Sequence, residues 1–172
     1  VGHFHMVMGV AAIFGMFAGT YFWFPKMFGR MLNERLGKTH FWITFVGVYC
    51  IFMPMHFIGL QGMPRRYSSF VNEVMQPLMP VHKFMSIAAL ITGAAQFLFF
   101  INLFWSMYWG PKASENPWES TTLEWTVPSP PPFDNFGGKH PVVSHDAYEY
   151  GEVQNGKDYV MQTDPAGQSA SS

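Results

Sequence analysis

Two histidines stand two positions apart in the run Gly2-His3-Phe4-His5, at the head of an apolar segment with no charged side chain before Lys26. Neutral imidazole is the commonest metal ligand among side chains. A regular α-helix turns about 100° per residue, so positions i and i+2 point roughly 200° apart. Such a pair is poorly placed to close on one metal and well placed to reach two partners on opposite sides. The expected arrangement is a helix between two metal cofactors, offering one ligand to each. A second group lies in Gly62-Met63-Pro64-Arg65-Arg66-Tyr67. Adjacent arginines either snorkel to lipid headgroups or form a planar, bidentate clamp for carboxylates that stay ionised, of which haem propionates are one kind. No acidic residue occurs between Lys38 and Asn72 to partner them. Two histidines near the same membrane face favour the propionate reading.

The remaining histidines carry less. His56 lies inside an apolar run, where an ionisable group is a functional candidate by default; a neutral ring hydrogen-bonded to a carbonyl in the bundle is the commoner case and is expected here. His40 and His82 sit at the edges of apolar runs, where interfacial solvation explains them. His140 and His145 could bind a metal only if the fold brought them together. Cys50 is the single cysteine, which excludes a disulfide framework within the chain and leaves a packing role.

The elements that position these residues are apolar spans. Charged residues make up 12% of the 172-residue chain, against about 25% in ordinary soluble domains. Three stretches have no charge at all: residues 4–25, 39–64 and 84–111. Each exceeds the roughly 20 residues that a helix needs to cross a hydrocarbon core. Small residues recur within them (Gly9, Ala11, Ala12, Gly15, then Ala88, Ala89, Gly93), as close helix packing in lipid requires. Residues 1–111 are therefore expected to be a three-helix transmembrane region of an all-α membrane protein, and residues 112–172 a separate tail. A net charge of −1 gives no electrostatic case for nucleic acid.

The loop at 26–38 carries Lys26, Arg30, Arg35 and Lys38 against Glu34; the next carries Arg65, Arg66 and Lys83 against Glu73. If a bound anionic group neutralises the arginine pair, the positive-inside rule puts loop 26–38 on the cytoplasmic or matrix side. Three crossings return the tail to that side and leave His3, His5, Arg65 and Arg66 near the opposite face. Pro117, Pro128 and Pro130-Pro131-Pro132 favour an extended course for the tail, with Trp118, Trp125 and Phe133 along a protein surface and the last dozen residues disordered. The abrupt start on the candidate ligands is expected of a fragment or a processed product.

Taken together, His3-Phe4-His5, Trp23-Phe24-Pro25, Phe52-Met53-Pro54-Met55-His56-Phe57 and Gly62-Met63-Pro64-Arg65-Arg66-Tyr67 resemble, in order and spacing, the end of subunit I of the haem-copper cytochrome c oxidases. Asn116-Pro117-Trp118, Thr121-Thr122-Leu123-Glu124-Trp125-Thr126 and Ser129-Pro130-Pro131-Pro132 are similar to the bacterial versions. The likeness runs to about Tyr150 and favours the cytochrome c oxidases over the quinol oxidases.

The resemblance implies the last three helices of a twelve-helix bundle of the aa3 type. It implies that His3 is the proximal ligand of the high-spin haem a3, and the catalytic residue of this chain. It implies that His5 is one axial ligand of the low-spin haem a, with Phe4 between the two haems, and that Arg65 and Arg66 hold haem propionates. Copper B would be held by the absent part. Implied partners are the first nine helices of the subunit, subunits II and III, and cytochrome c as electron donor. The implied setting is a bacterial plasma membrane, or alternatively a mitochondrial inner membrane, with four-electron reduction of dioxygen coupled to proton pumping. A quinol-oxidising relative and a non-catalytic membrane scaffold are the other readings. Met6 departs from the tyrosine that many members have after the second histidine, so the family's packing there does not carry over.

Overall fold

The computed structural model describes residues 1–66, 73, 75–154 and 157–165; for residues 151–154 only the backbone is described. Tyr67 of the arginine motif and the last residues of the tail, 166–172, lie outside the described residues. The chain opens with α1 (Gly2–Phe4), passes through a π-helical turn at His5–Gly9, and continues as α2 (Val10–Phe28). Then come α3 (Glu34–Leu60), a 3-10 turn at Gln76–Leu78 and α4 (Met79–Trp109). A 3-10 turn at Leu123–Thr126 and an antiparallel pair, β1 (Tyr150–Gln154) and β2 (Lys157–Tyr159), complete it. Among the described residues, three helices are long and apolar enough to cross a membrane: Gly2–Phe28, Glu34–Leu60 and Gln76–Trp109. The protein is a helical membrane protein.

The helices run past the charge-free stretches because capping groups tolerate charge at helix ends. The Asn33 side chain accepts the Leu36 N–H at 3.1 Å, which is N-capping and satisfies a donor the helix leaves orphaned. α3 therefore begins at Glu34 rather than Thr39. It stops at Leu60 because Gly62, at φ +89, takes the left-handed conformation that ends helices. α4 is entered through Pro77 in the 3-10 turn, where a missing N–H costs nothing.

The chain divides into two compact units. The first comprises Val1–Thr20 and Asn33–Tyr108. Buried polar groups knit it together, each satisfied by another polar group of the bundle. Asn102, 1% exposed, accepts from the Asn33 N–H at 2.9 Å and donates to the Asn33 carbonyl at 3.0 Å. His40 donates from Nε2 to Gln96 at 3.1 Å, and Gln96 donates to Thr44 at 3.1 Å. His40 is 2% exposed, so it is held inside the bundle and not solvated at an interface; His82 is likewise buried. Phe17 and Phe99 close on the His40 ring at centroid distances of 4.7 and 5.5 Å. Gly47 lies against Thr92, and a Cβ there would collide with the threonine hydroxyl, which is the use of small residues between membrane helices. Outward-facing residues such as Leu60 and Leu90 remain 87% and 75% exposed. These are faces for lipid or for further helices.

The second unit comprises Tyr21–Leu32 and Trp109–Ser172. Its centre is the end of α2, where Phe24, Pro25 and Lys26 are buried. Lys26, 6% exposed, donates to the Val127 carbonyl at 2.7 Å and stands 4.8 Å over the Trp125 ring, itself 2% exposed. A cation over an indole face is attracted by the ring quadrupole. Trp118 donates to the Phe22 carbonyl at 2.8 Å, Arg30 to Gly110 at 2.6 Å, and the Met31 N–H to Pro111 at 2.8 Å. The tail up to residue 149 is mostly irregular, as its prolines dictate, with the β1–β2 hairpin beyond. Within it the Asp146 N–H, then the His145 imidazole, hold the Glu149 carboxyl below its ordinary pKa. The two contacts are 3.1 and 2.7 Å. Phe133 stands fully exposed, whereas Trp125 is covered.

Candidate cofactor site at the head of the first helix

Gly2 fixes where the first helix meets α3. A Cβ at this position would stand 3.0 Å from Met55 Cβ, 3.0 Å from the Phe52 carbonyl and 3.1 Å from His56 Cε1. Only a glycine permits that approach without a shift of the neighbours. The next residues then lie along two successive turns of α3. His5 stacks on Phe52, centroids 5.0 Å apart and planes 16° apart; His3 meets His56 edge-on at 6.3 Å and 86°. A regular helix would aim the two imidazoles in nearly opposite directions. Gly2–Phe4 is α-helical and His5 keeps right-handed helical dihedrals, so the π turn at His5–Gly9 follows the pair; each ring nevertheless faces a different residue of α3.

Their surroundings differ. His5 is half-buried, and its Nδ1 donates to the Val1 carbonyl at 2.9 Å. A carbonyl only accepts, so the proton is on Nδ1 and the Nε2 lone pair is free to bind a metal. A ligating histidine usually donates its other ring N–H in this way, which fixes both tautomer and ring orientation. His5 borders an apolar groove of about 600 Å³ lined by Val10, Phe14, Val48, Phe52 and Phe99, within the size range of small-molecule and cofactor sites. His3 is exposed and has no hydrogen-bond partner among the described residues. Phe4, between them, is exposed and meets His5 edge-on at 5.2 Å.

Arg65 and Arg66 follow the end of α3 and are both exposed. They line a cavity of about 240 Å³ with Val1, Gly2, Met63 and His82. The arginine pair and the head of the first helix thus share one cavity, although they are sixty residues apart in sequence. Arg66 has φ +56, a left-handed conformation that costs a non-glycine residue roughly 1–2 kcal/mol. Such strain gathers at ligand clamps. Neither arginine has an ion-pair partner among the described residues. The donor set suits carboxylates.

No three His, Cys, Asp or Glu side chains among the described residues are grouped to hold a metal ion. An ion bound here by His3 or His5 must take its other ligands elsewhere, as an iron in a porphyrin does. His56 donates from Nδ1 to the Phe52 carbonyl at 3.0 Å, the bundle-internal bond expected of it. His145 pairs with Glu149. Gly2, Phe52 and the Val1 carbonyl are the participants that the sequence alone did not single out. A small residue immediately before the histidine pair was the available signal for Gly2.

The family model described as "Cytochrome C and Quinol oxidase polypeptide I" matches residues 1–125. The alternative cytochrome c oxidase subunit 1 of Bradyrhizobium diazoefficiens is 45% identical over 168 residues, 96% of this chain and 28% of that protein. The cytochrome c oxidase subunit 1 of Synechocystis sp. is 45% identical over 151 residues, 88% of this chain and 26% of its own length. That of Thermostichus vulcanus is 44% identical over the same length and shares. The chain spans little more than a quarter of these curated relatives.

Proposed function

The chain belongs to the cytochrome c and quinol oxidase polypeptide I family, and on that premise we propose that it forms the carboxyl-terminal, three-helix part of the catalytic subunit of an aa3-type cytochrome c oxidase. His5 is one axial ligand of the low-spin haem a, His3 the proximal ligand of the high-spin haem a3, and Arg65 with Arg66 holds haem propionates. The observation that carries this reading is the His5 imidazole. Its Nδ1–H is committed to the Val1 carbonyl at 2.9 Å, and its ring borders an apolar groove of about 600 Å³.

The residues present suit such a group. Haem supplies reversible one-electron transfer and, where a coordination position stays open, a site for dioxygen reduction. The protein's part is to hold and orient. Stacking on Phe52 and the bond to Val1 fix the His5 ring plane. Two guanidinium forks on one cavity neutralise carboxylates that stay ionised at the membrane edge. Phe4, apolar and rigid, packs edge-on against His5, 5.2 Å between centroids. Copper B, the other haem a ligand and the first nine helices belong to the rest of the subunit. Subunits II and III, cytochrome c as donor, proton pumping, and a bacterial plasma membrane with the tail on the cytoplasmic side complete the proposal.

The family description covers quinol oxidases as well as cytochrome c oxidases, so the donor separates two readings. The purified complex should consume oxygen with reduced cytochrome c. Consumption with quinol alone would move the assignment to the quinol branch. Within either, His3→Ala should abolish carbon monoxide binding by the reduced complex and His5→Ala should remove the low-spin spectrum. Survival of both spectra in both variants contradicts the ligand assignment.

A further inference from the structure

We propose that a slot between α3 and α4 binds one anionic phospholipid, with its phosphate on Lys83 and an acyl chain laid along the helices. The slot has a volume of about 440 Å³. Its floor is where the two helices come closest: Gly47 lies against Thr92, and Ala88 adds only a methyl group. Its walls are Trp42, Phe84, Ile87 and Ile91, each more than half exposed. Bulky side chains around a floor of small ones leave a channel narrower than a helix, which measures about 10–12 Å across with its side chains. A docked membrane helix needs small residues on the contact face so that backbones can approach. Here the outward rim is aromatic and branched. An acyl chain fits such a slot and a helix does not.

The ends of the slot select the lipid. From Phe84 to Thr92 it follows α4 for about 12 Å, close to half of the roughly 30 Å hydrocarbon core and so to one leaflet. At Ile87 it meets a second hollow of about 400 Å³, lined by Met79, Lys83 and Ser86. The charge-free stretch begins at Phe84, so Lys83 stands at the hydrocarbon edge, where lipid phosphates lie. Lys83 is exposed and has no ion-pair partner among the described residues. Ser86 donates to the His82 carbonyl at 2.9 Å. Its proton is thus committed, and the ammonium is left as the donor for an anion. Lysines at this depth lay an apolar stem on the protein and extend the charge to the headgroups, where it attracts anionic lipid.

The test is photolabelling of the assembled oxidase in phosphatidylcholine nanodiscs that carry a trace of phosphatidylglycerol with a mid-chain diazirine, followed by peptide mapping. Label should concentrate on residues 42–50 and 84–92 over the rest of the chain. The same diazirine on phosphatidylcholine should label them more weakly. Lys83→Gln should lower the phosphatidylglycerol signal about fivefold, as loss of one headgroup-facing cation implies. Ala88→Phe fills the floor and should abolish the signal; should that variant fail to assemble, Lys83→Gln carries the test. Both variants should keep the two haem spectra, so this outcome is independent of the ligand assignment. Labelling spread evenly over the exposed faces and indifferent to Lys83→Gln means ordinary annular lipid and overturns the proposal. Label on another helix of the complex in place of these two segments means that protein covers the slot, and overturns it equally.

Discussion

The two ends of the first membrane helix are built in opposite ways. At its head, α1 and the π turn present His3, Phe4 and His5 with partly open rings, beside an apolar groove and a strained arginine. At its end, Phe24, Pro25 and Lys26 are buried within the second unit, and the lysine is satisfied by a carbonyl and an indole face. The end is closed by the chain's own tail. The head is left with an imidazole lone pair, two unpaired guanidinium groups among the described residues and uncovered apolar surface. These groups are accessible, and a ligand that covered them would have to replace the water they hold with polar partners of its own. The contrast sets a structural anchor against the proposed cofactor site on one continuous element.

Trp125→Ala breaks the closed end and carries the largest expected effect. Truncating a fully buried aromatic costs about 3–5 kcal/mol, and here it also removes the surface under Lys26. Limited proteolysis of the assembled complex should show the tail cut far faster than in wild type, while the haem spectra stay unchanged. A change in the haem spectra would mean that the two ends are not independent. Gly2→Ala attacks the open end. Its Cβ must displace Met55, the Phe52 carbonyl or His56, and overpacking of this kind costs roughly 1–3 kcal/mol. The spectra should shift at both haems while the tail keeps its protease resistance.

The head was the more legible end. Two histidines in a charge-free run stand out in any reading, and so does Arg65-Arg66. What could not be read was how they are held. Spacing alone predicted opposite directions for the two rings and could not name the α3 residue that each one faces, His56 for His3 and Phe52 for His5. His40 looked interfacial because its partner Gln96 is fifty-six residues away and an amide does not register in a scan for charge. The closed end was opaque for the same reason. Lys26 and Trp125 lie ninety-nine residues apart, and nothing near either announces the other. The three spans were plain from the absence of charge, but their ends were not, since Asn33 caps α3 six residues before the apolar run begins. The hairpin at Tyr150–Tyr159 has too few alternating apolar positions to be visible beforehand.

The smallest expected effect lies in the tail. The Glu149 pKa is depressed by the Asp146 N–H and by His145. A depressed carboxylate contributes stability in full above its unfolded value, about 4.3, and loses it as the pH falls through the lower folded value. Hydrogen exchange at the turn 145–149 should therefore quicken on acidification through that window. Glu149→Gln should remove the pH dependence and leave the helices untouched.

The central claim is that one helix head ligates two different haems. Haem content and type, measured in the purified complex for His3→Ala, His5→Ala and the double variant, test it most directly. The account predicts that each single variant loses a different one of the two haems and that the double variant loses both. Loss of the same haem in both single variants, or of neither, would contradict it.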